Sequence, residues 1–152
     1  MTAGVDVTPI PVLPPGDTWT WQELSRSRTR VALAARRGDA EINVVLERCA
    51  AGRLRDAYPV HAHDVEIILA AGDVNAGAHL VRELFAAVCA ADPGCRRVVL
   101  TVPAGDAPSI ASGRAAGFEH IVDVDLPGVQ LSVLLAEPDW VGDVAMALEM
   151  HW

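Results

Sequence analysis

The stretch from His61 to Glu66 holds the side chains best able to move a proton. Glu66 stands in Asp64-Val65-Glu66-Ile67-Ile68-Leu69-Ala70, a run that is otherwise apolar after Asp64. A carboxylate placed there is a candidate general base. Period-two geometry puts Asp64, Glu66 and Ile68 on one face of such a strand. Asp64 and His63 stand at its mouth, where either could act through a water. His61, His63 and Asp64 also resemble a fragment of a metal site. Two imidazoles and one carboxylate fall short of a four-ligand set, so no metal is expected. Ser109 and Ser112 open a later helical stretch and could protonate a leaving group, although serines at helix starts more commonly serve the backbone.

These residues need elements to hold them. Val65, Ile67 and Leu69 alternate while Ile68 makes the run apolar on both faces, as in a buried strand. Residues 71–78 follow as a loop of small side chains apart from Val74. It feeds a helix whose Leu80, Leu84, Ala87, Val88 and Ala91 form one stripe. A small-residue loop at a helix start offers backbone N–H groups to an anion. Pro93-Gly94 stops the helix, and residues 96–102 read as the next strand. Asp106 and Pro108 start a short helix that Gly117 ends. Residues 121–126 and 129–135 form a hairpin turned by Pro127-Gly128.

Earlier in the chain, Val5, Val7, Ile10 and Val12 suggest a first strand that Pro9 and Pro11 confine to an edge or an irregular path. Thr20-x-x-Glu23 fits a capping box, which predicts a short helix near Trp21. Residues 31–35 and 42–46 alternate about Gly38-Asp39 and predict a hairpin with one buried face. Asp139 is expected to cap a last amphipathic helix. Two hairpins exclude an all-parallel sheet, so a mixed sheet with helices on its faces is expected.

The 152 residues fit one domain, 1–152. The formal charge of −8 argues against a nucleic-acid or anionic-membrane partner, because no basic surplus exists to release counterions. No apolar run is long enough to span a bilayer, and the N-terminus lacks the regions of a signal peptide. Cys49, Cys89 and Cys95 have no metal-type spacing and read as reduced thiols of a cytoplasmic protein.

In order, the buried strand, small-residue loop, long helix, strand, short helix and Ala115-Ala116-Gly117-Phe118 resemble the acyl-CoA-binding half of the GCN5-related N-acetyltransferase (GNAT) superfamily. Within it the chain is most similar to the siderophore-biosynthesis lysine and hydroxylysine N-acyltransferases. Leu84-Phe85-Ala86-Ala87, Ala91-Asp92-Pro93, Arg97-Val98-Val99, Val124-Asp125-Leu126-Pro127 and Tyr58-Pro59 carry that likeness, which covers residues 38–137. The N-terminal helical region is shorter than in that branch. The resemblance implies an α/β (α+β) fold: a mixed, mostly antiparallel sheet with a splayed parallel strand pair and helices on both faces. It implies an N-acetyltransferase taking acetyl-CoA or another acyl-CoA as substrate, without a metal. The acceptor would be a small-molecule amine or a lysine-like group, and a homodimer is left open. The pantetheine would lie on Ile67, Ile68 and Leu69. The pyrophosphate would meet the backbone of Val74, Asn75, Ala76, Gly77, Ala78 and His79, with Asp106 and Ser109 near the leaving thiolate.

Several positions depart from the family pattern. With Gly77 as the last glycine of the loop motif Arg/Gln-x-x-Gly-x-Gly/Ala, Gly72 stands where Arg or Gln belongs and Asn75 at the earlier glycine. Asp73 adds a negative charge there. The branch's strand histidine is Ile68, its Glu-Pro-Asp is Thr101-Val102-Pro103, and its following Asn is Asp106. Two classes of function therefore stay open: an N-acyltransferase using Glu66 as base, and a catalytically silent protein of this fold acting as a binding or subunit protein.

Overall fold

A computed structural model describes residues 7–69 and 77–138 of the chain. Seven strands form one sheet in the order β1-β2-β3-β4-β5-β7-β6. They are β1 (Thr20–Arg26), β2 (Arg30–Arg37), β3 (Ala40–Arg48), β4 (Val65–Leu69), β5 (Val98–Pro103), β6 (Glu119–Leu126) and β7 (Val129–Ala136). Helix α1 (Ala78–Ala91) joins β4 to β5, and α2 (Ala107–Ala115) joins β5 to β6. Only β4 and β5 run parallel; every other neighbouring pair is antiparallel. The parallel pair needs a crossover, and α1 supplies it.

Period-two alternation divides the sheet into two unlike faces. One carries Val31, Leu33, Val44, Leu46, Val65, Ile67, Leu100 and Leu134, packed against Leu80, Val81, Leu84 and Val88 of α1. Helix α2 packs on this same face at Gly113, where an added Cβ would come within 2.6 Å of the Leu134 side chain. The opposite face carries Val99 and Val133, covered by Cys49, Leu54 and Tyr58 from the β3–β4 connection. That connection begins as a 3-10 turn, Cys49–Ala51. The expectation of helices on both faces is thus met on one face only among the described residues. The other is roofed by an irregular segment.

The N-terminal region differs from its sequence reading. Thr20–Arg26 is strand β1, paired with β2 at Thr20↔Arg36 and Trp21↔Ala35, not a helix. The Glu23 carboxylate accepts from Arg26 instead of reaching back to close a capping box. A free edge on β2 offers a whole ladder of backbone bonds, against two for the box. Residues 7–19 form no strand. Their carbonyls are served by arginines: Arg48 donates to Thr8 O and Pro9 O, and Arg26 to Ile10 O. Glu83 on α1 accepts from the backbone N–H groups of Thr18 and Trp19 at 2.8 and 3.0 Å. The helix expected after Asp139 lies outside the described residues. Cys49, Cys89 and Cys95 are free thiols. Among the described residues no helix is long and apolar enough to cross a membrane.

Candidate functional site

Strands β4 and β5 pair at Val65↔Val98, Glu66↔Val99 and Ile67↔Leu100, and the pairing stops there. Both strands run on, β4 to Leu69 and β5 to Pro103. Val65 N–H donates to Arg97 O on the β5 side. Alternation therefore turns the backbones of Val65, Ile67 and Leu69 towards β5. For Leu69 the ladder has already ended, so its N–H and C=O face the opening. Across the gap, Ala104 N–H donates to Gln130 O on the β7 side, which leaves the nitrogen of Pro103 facing β4. A proline costs the sheet no hydrogen bond at the point where its ladder has ended. The proline that stands in place of the expected acid is thus compatible with the strands parting.

Helix α1 begins just past this opening. Gly77 is its N-cap with φ −100°, and among the described residues no side chain caps the first turn. The first backbone N–H groups of a helix have no intrahelical partner, so those of Ala78 and His79 must find theirs outside the helix. The His79 side chain is exposed. Val74, Asn75 and Ala76 lie outside the described residues. Ile68 points to the face opposite α1 and lines an open cleft there.

The proton-handling candidates are distributed as follows. Glu66 is 1% exposed. Its Oε2 accepts from Arg53 Nε at 3.2 Å, Arg53 Nη2 at 2.8 Å and Thr101 Oγ1 at 2.6 Å. Arg53 Nη2 also donates to Thr101 Oγ1 at 3.0 Å. All three bonds to the carboxylate land on one oxygen, so Oε1 is the oxygen left to take a proton. Asp64 is fully buried, accepting from Tyr58 Oη at 2.8 Å and His61 N–H at 3.0 Å. His63 turns away from Glu66 to the end of α1, its Nδ1 3.0 Å from Asp92 Oδ1. Asp92 also meets Arg48 Nη1 at 2.8 Å, and Arg48 is wholly buried. The structure thus places Asp64 and Glu66 on one face but does not bring His63 to them. Among the described residues no group of three or more His, Cys, Asp or Glu could hold a metal ion.

Asp106 and Ser109 are brought together as a helix cap. Ser109 Oγ donates to Asp106 Oδ2 at 2.8 Å, and Ser109 N–H approaches Oδ1. Gly117 at φ +96° ends α2, with Phe118 N–H donating to Gly113 O and Gly117 N–H to Arg114 O. This double closure places Phe118 edge-on against Phe85 of α1, ring centroids 5.9 Å apart.

The cleft on the roofed face has a volume of about 1060 Å³. One wall is the β6–β7 hairpin, with Val124, Leu126 and Val129; the other comes from Arg30, Glu47 and residues 51–53 and 55–57. Glu47 is the direct cross-strand partner of Glu66. Arg53, Thr101 and Glu47 escaped the sequence reading. The β2–β3 hairpin reads as having one buried face, which sends Glu47 to solvent, and nothing in residues 50–63 reveals that the loop folds back over that face. The pair Arg53-x-Arg55 was the available signal, since a basic loop following a strand with an acidic end can return to it.

No protein-family model matches the sequence, and no curated protein does. Solved structures match through the fold. The aminoglycoside acetyltransferase AAC(6')-Ib in complex with paromomycin and acetyl-CoA aligns with a TM-score of 0.60 and 16% identity, over 73% of this chain and 66% of its own. The complex of AAC(6')-Ib with coenzyme A and kanamycin gives the same score and identity, over 68% of its length. An uncharacterised protein of Bacillus halodurans aligns with a TM-score of 0.67 at 12% identity, over 86% of this chain and 91% of its own. The chain thus spans about two-thirds of the length of the aminoglycoside enzymes. Identities this low define a shared fold. It is the GNAT fold: a mostly antiparallel seven-stranded sheet with one parallel pair.

Proposed function

We propose that this chain, as one cytoplasmic domain, is an acyl-CoA-dependent N-acyltransferase. It would move an acyl group, acetyl in the simplest case, to the primary amine of a small molecule or a lysine-like acceptor. The observation that carries this reading is the parting of β4 and β5 after Ile67 and Leu100, with the backbone of Leu69 turned into the gap and an uncapped helix start beyond it. Proteins of the same fold have been solved with acetyl-CoA or coenzyme A bound.

In this reading the pantetheine arm lies along Ile67–Leu69 as an added strand would, by backbone pairing. The Leu69 N–H polarises the thioester carbonyl. The first-turn N–H groups at Gly77, Ala78 and His79, with the preceding loop, receive the pyrophosphate. The neutral amine attacks the carbonyl carbon, the C–S bond breaks, and the thiolate leaves. Glu66 Oε1 takes the amine proton through a water, because the side chain is buried, while Oε2 stays anchored on Arg53 and Thr101. Ser109, held on Asp106, can hydrogen-bond the leaving thiolate only by exchanging that bond, and the thiolate takes its proton from water. Much of the rate comes from alignment of the two substrates.

One observation favours a second reading, a catalytically silent binding protein. Glu66 lies under Arg53, and the family's acid–base positions are Ile68 and Pro103. Coenzyme A release from acetyl-CoA, followed with a thiol reagent across a panel of primary amines, separates the two. The chain has no lysine, so side-chain self-acetylation at lysine adds no background. Amine-dependent thiol release supports the enzyme; acetyl-CoA binding without release under any amine supports the silent reading.

A further inference from the structure

The cleft over Ile68 has two unlike walls and one weakly committed carboxylate that is largely shielded from solvent, its side chain 14% exposed. Its apolar wall is Val124, Leu126 and Val129, with Ile68 at the base. Its charged groups are mostly spoken for. Arg53 is held by Glu66. Arg55 and Asp56 stand on the rim with side chains 69% and 94% exposed, where water screens any ion they meet. Asp125 lies between Val124 and Leu126 in β6, so alternation turns its side chain to the other face.

Glu47 differs from all of these. Among the described residues its ion pair is with Arg30, Nη1 to Oε2 at 3.2 Å, and Arg30 is 54% exposed. Solvent screens such a pair, which contributes little. Its Oε1 accepts no hydrogen bond among the described residues and lies against Gly52, where an added Cβ would approach it to 2.5 Å. The absence of a side chain at residue 52 is what gives the carboxylate its place. Glu47 stands directly across from Glu66, one strand spacing away, about 4.8 Å. A group bound at Glu47 is therefore beside Glu66 and on the same face as Ile68.

We propose that Glu47 recognises the acceptor. Its carboxylate receives the ammonium of a primary amine, and the amine's apolar body lies on Ile68, Val124, Leu126 and Val129. The ligand class is an ammonium at the end of an alkyl or aralkyl chain, not a hydrophilic polycation. A charge-assisted hydrogen bond supplies the orientation, and the apolar wall supplies burial that a polyamine could not use. This deepens the N-acyltransferase reading and rests on it only for calling the ligand an acceptor.

The test is calorimetric titration of the whole chain, without acetyl-CoA, using hexylamine, 1-hexanol and spermidine. Hexylamine should bind more tightly than either of the others. Glu47→Gln should weaken hexylamine by roughly tenfold or more and leave 1-hexanol unchanged. Gly52→Ala, which keeps every charge but displaces the carboxylate, should weaken hexylamine in the same direction. Arg30→Gln should strengthen it, because the competing cation is gone. Opposite signs for the Glu47 and Arg30 variants keep a folding defect from imitating the result. Parental hexylamine affinity in Glu47→Gln, spermidine binding as tightly as hexylamine, or no hexylamine binding to the parent would each overturn the proposal. Amine binding that follows this pattern, with no acyl transfer when acetyl-CoA is added, would uphold the Glu47 site and overturn the enzyme reading instead.

Discussion

Glu66, Arg53 and Thr101 pose an unequal bargain between partners. Glu66 is buried, while the Arg53 side chain is 37% exposed. Removing Arg53 strands a buried carboxylate, which costs about 3 kcal/mol or more. Removing the charge of Glu66 leaves a cation that can turn to water, which costs about 1 kcal/mol. Urea denaturation should therefore rank Arg53→Ala as clearly more destabilising than Glu66→Gln; the reverse order would show that the pair is not anchored as described. For chemistry the ranking inverts. Glu66→Gln should lower kcat at neutral pH by about a hundredfold to ten-thousandfold and spare acyl-CoA affinity. Parental turnover with an unshifted acidic limb would remove Glu66 from the mechanism. At the other end of β4, burial pushes the Asp92 carboxyl up, but hydrogen bonds from His63 and Arg48 outweigh it and hold it below its ordinary value. A carboxylate lowered in the folded state adds stability above its unfolded value, about 3.9, and that stability is lost as pH falls through the folded value. Asp92→Asn should accordingly be less stable than the parent at pH 7, with the gap in melting temperature narrowing below about pH 4. A gap that stays constant down to pH 3 would contradict the assignment.

At the scale of elements, the strands with strict alternation were legible and the irregular segments were not. Val65–Leu69, the stripe of α1 and the Gly117 stop were readable because each is encoded locally, by period or by a backbone that only glycine adopts easily. Thr20–Arg26 misled because a capping box is a local signal and strand pairing with β2 is not. The same limit hid Glu47 and Arg53, whose meaning depends on where residues 49–63 come to rest. Two substitutions test how α1 and α2 are seated. Gly113→Ala drives a methyl to within 2.6 Å of Leu134 and 3.2 Å of Leu100. It should destabilise by about 1–3 kcal/mol, measured by thermal or urea unfolding, with no effect if α2 stands further off the sheet. Gly77 has an ordinary φ of −100° and is buried at the α1 start, so backbone freedom does not require it, and in the N-acyltransferase reading its part is to let the pyrophosphate come close. Gly77→Val should leave the fold intact and abolish acyl-CoA binding. Unchanged affinity would move the pyrophosphate elsewhere.

For the molecule as a whole, a mixed sheet was legible in the two hairpins, and the parallel pair β4–β5 was implied by the family resemblance; the place of β1 at the sheet edge was not legible, because Thr20–Arg26 carries a helix-start signal. The N-acyltransferase function descends from one architectural feature, the opening between β4 and β5. It is tested most directly by titrating acetyl-CoA into the whole chain by calorimetry. One acetyl-CoA should bind per chain, with an affinity in about the micromolar to millimolar range typical of enzyme substrates, lost in Gly77→Val and retained in Glu66→Gln. No heat of binding at millimolar acetyl-CoA from a folded parent protein would contradict it.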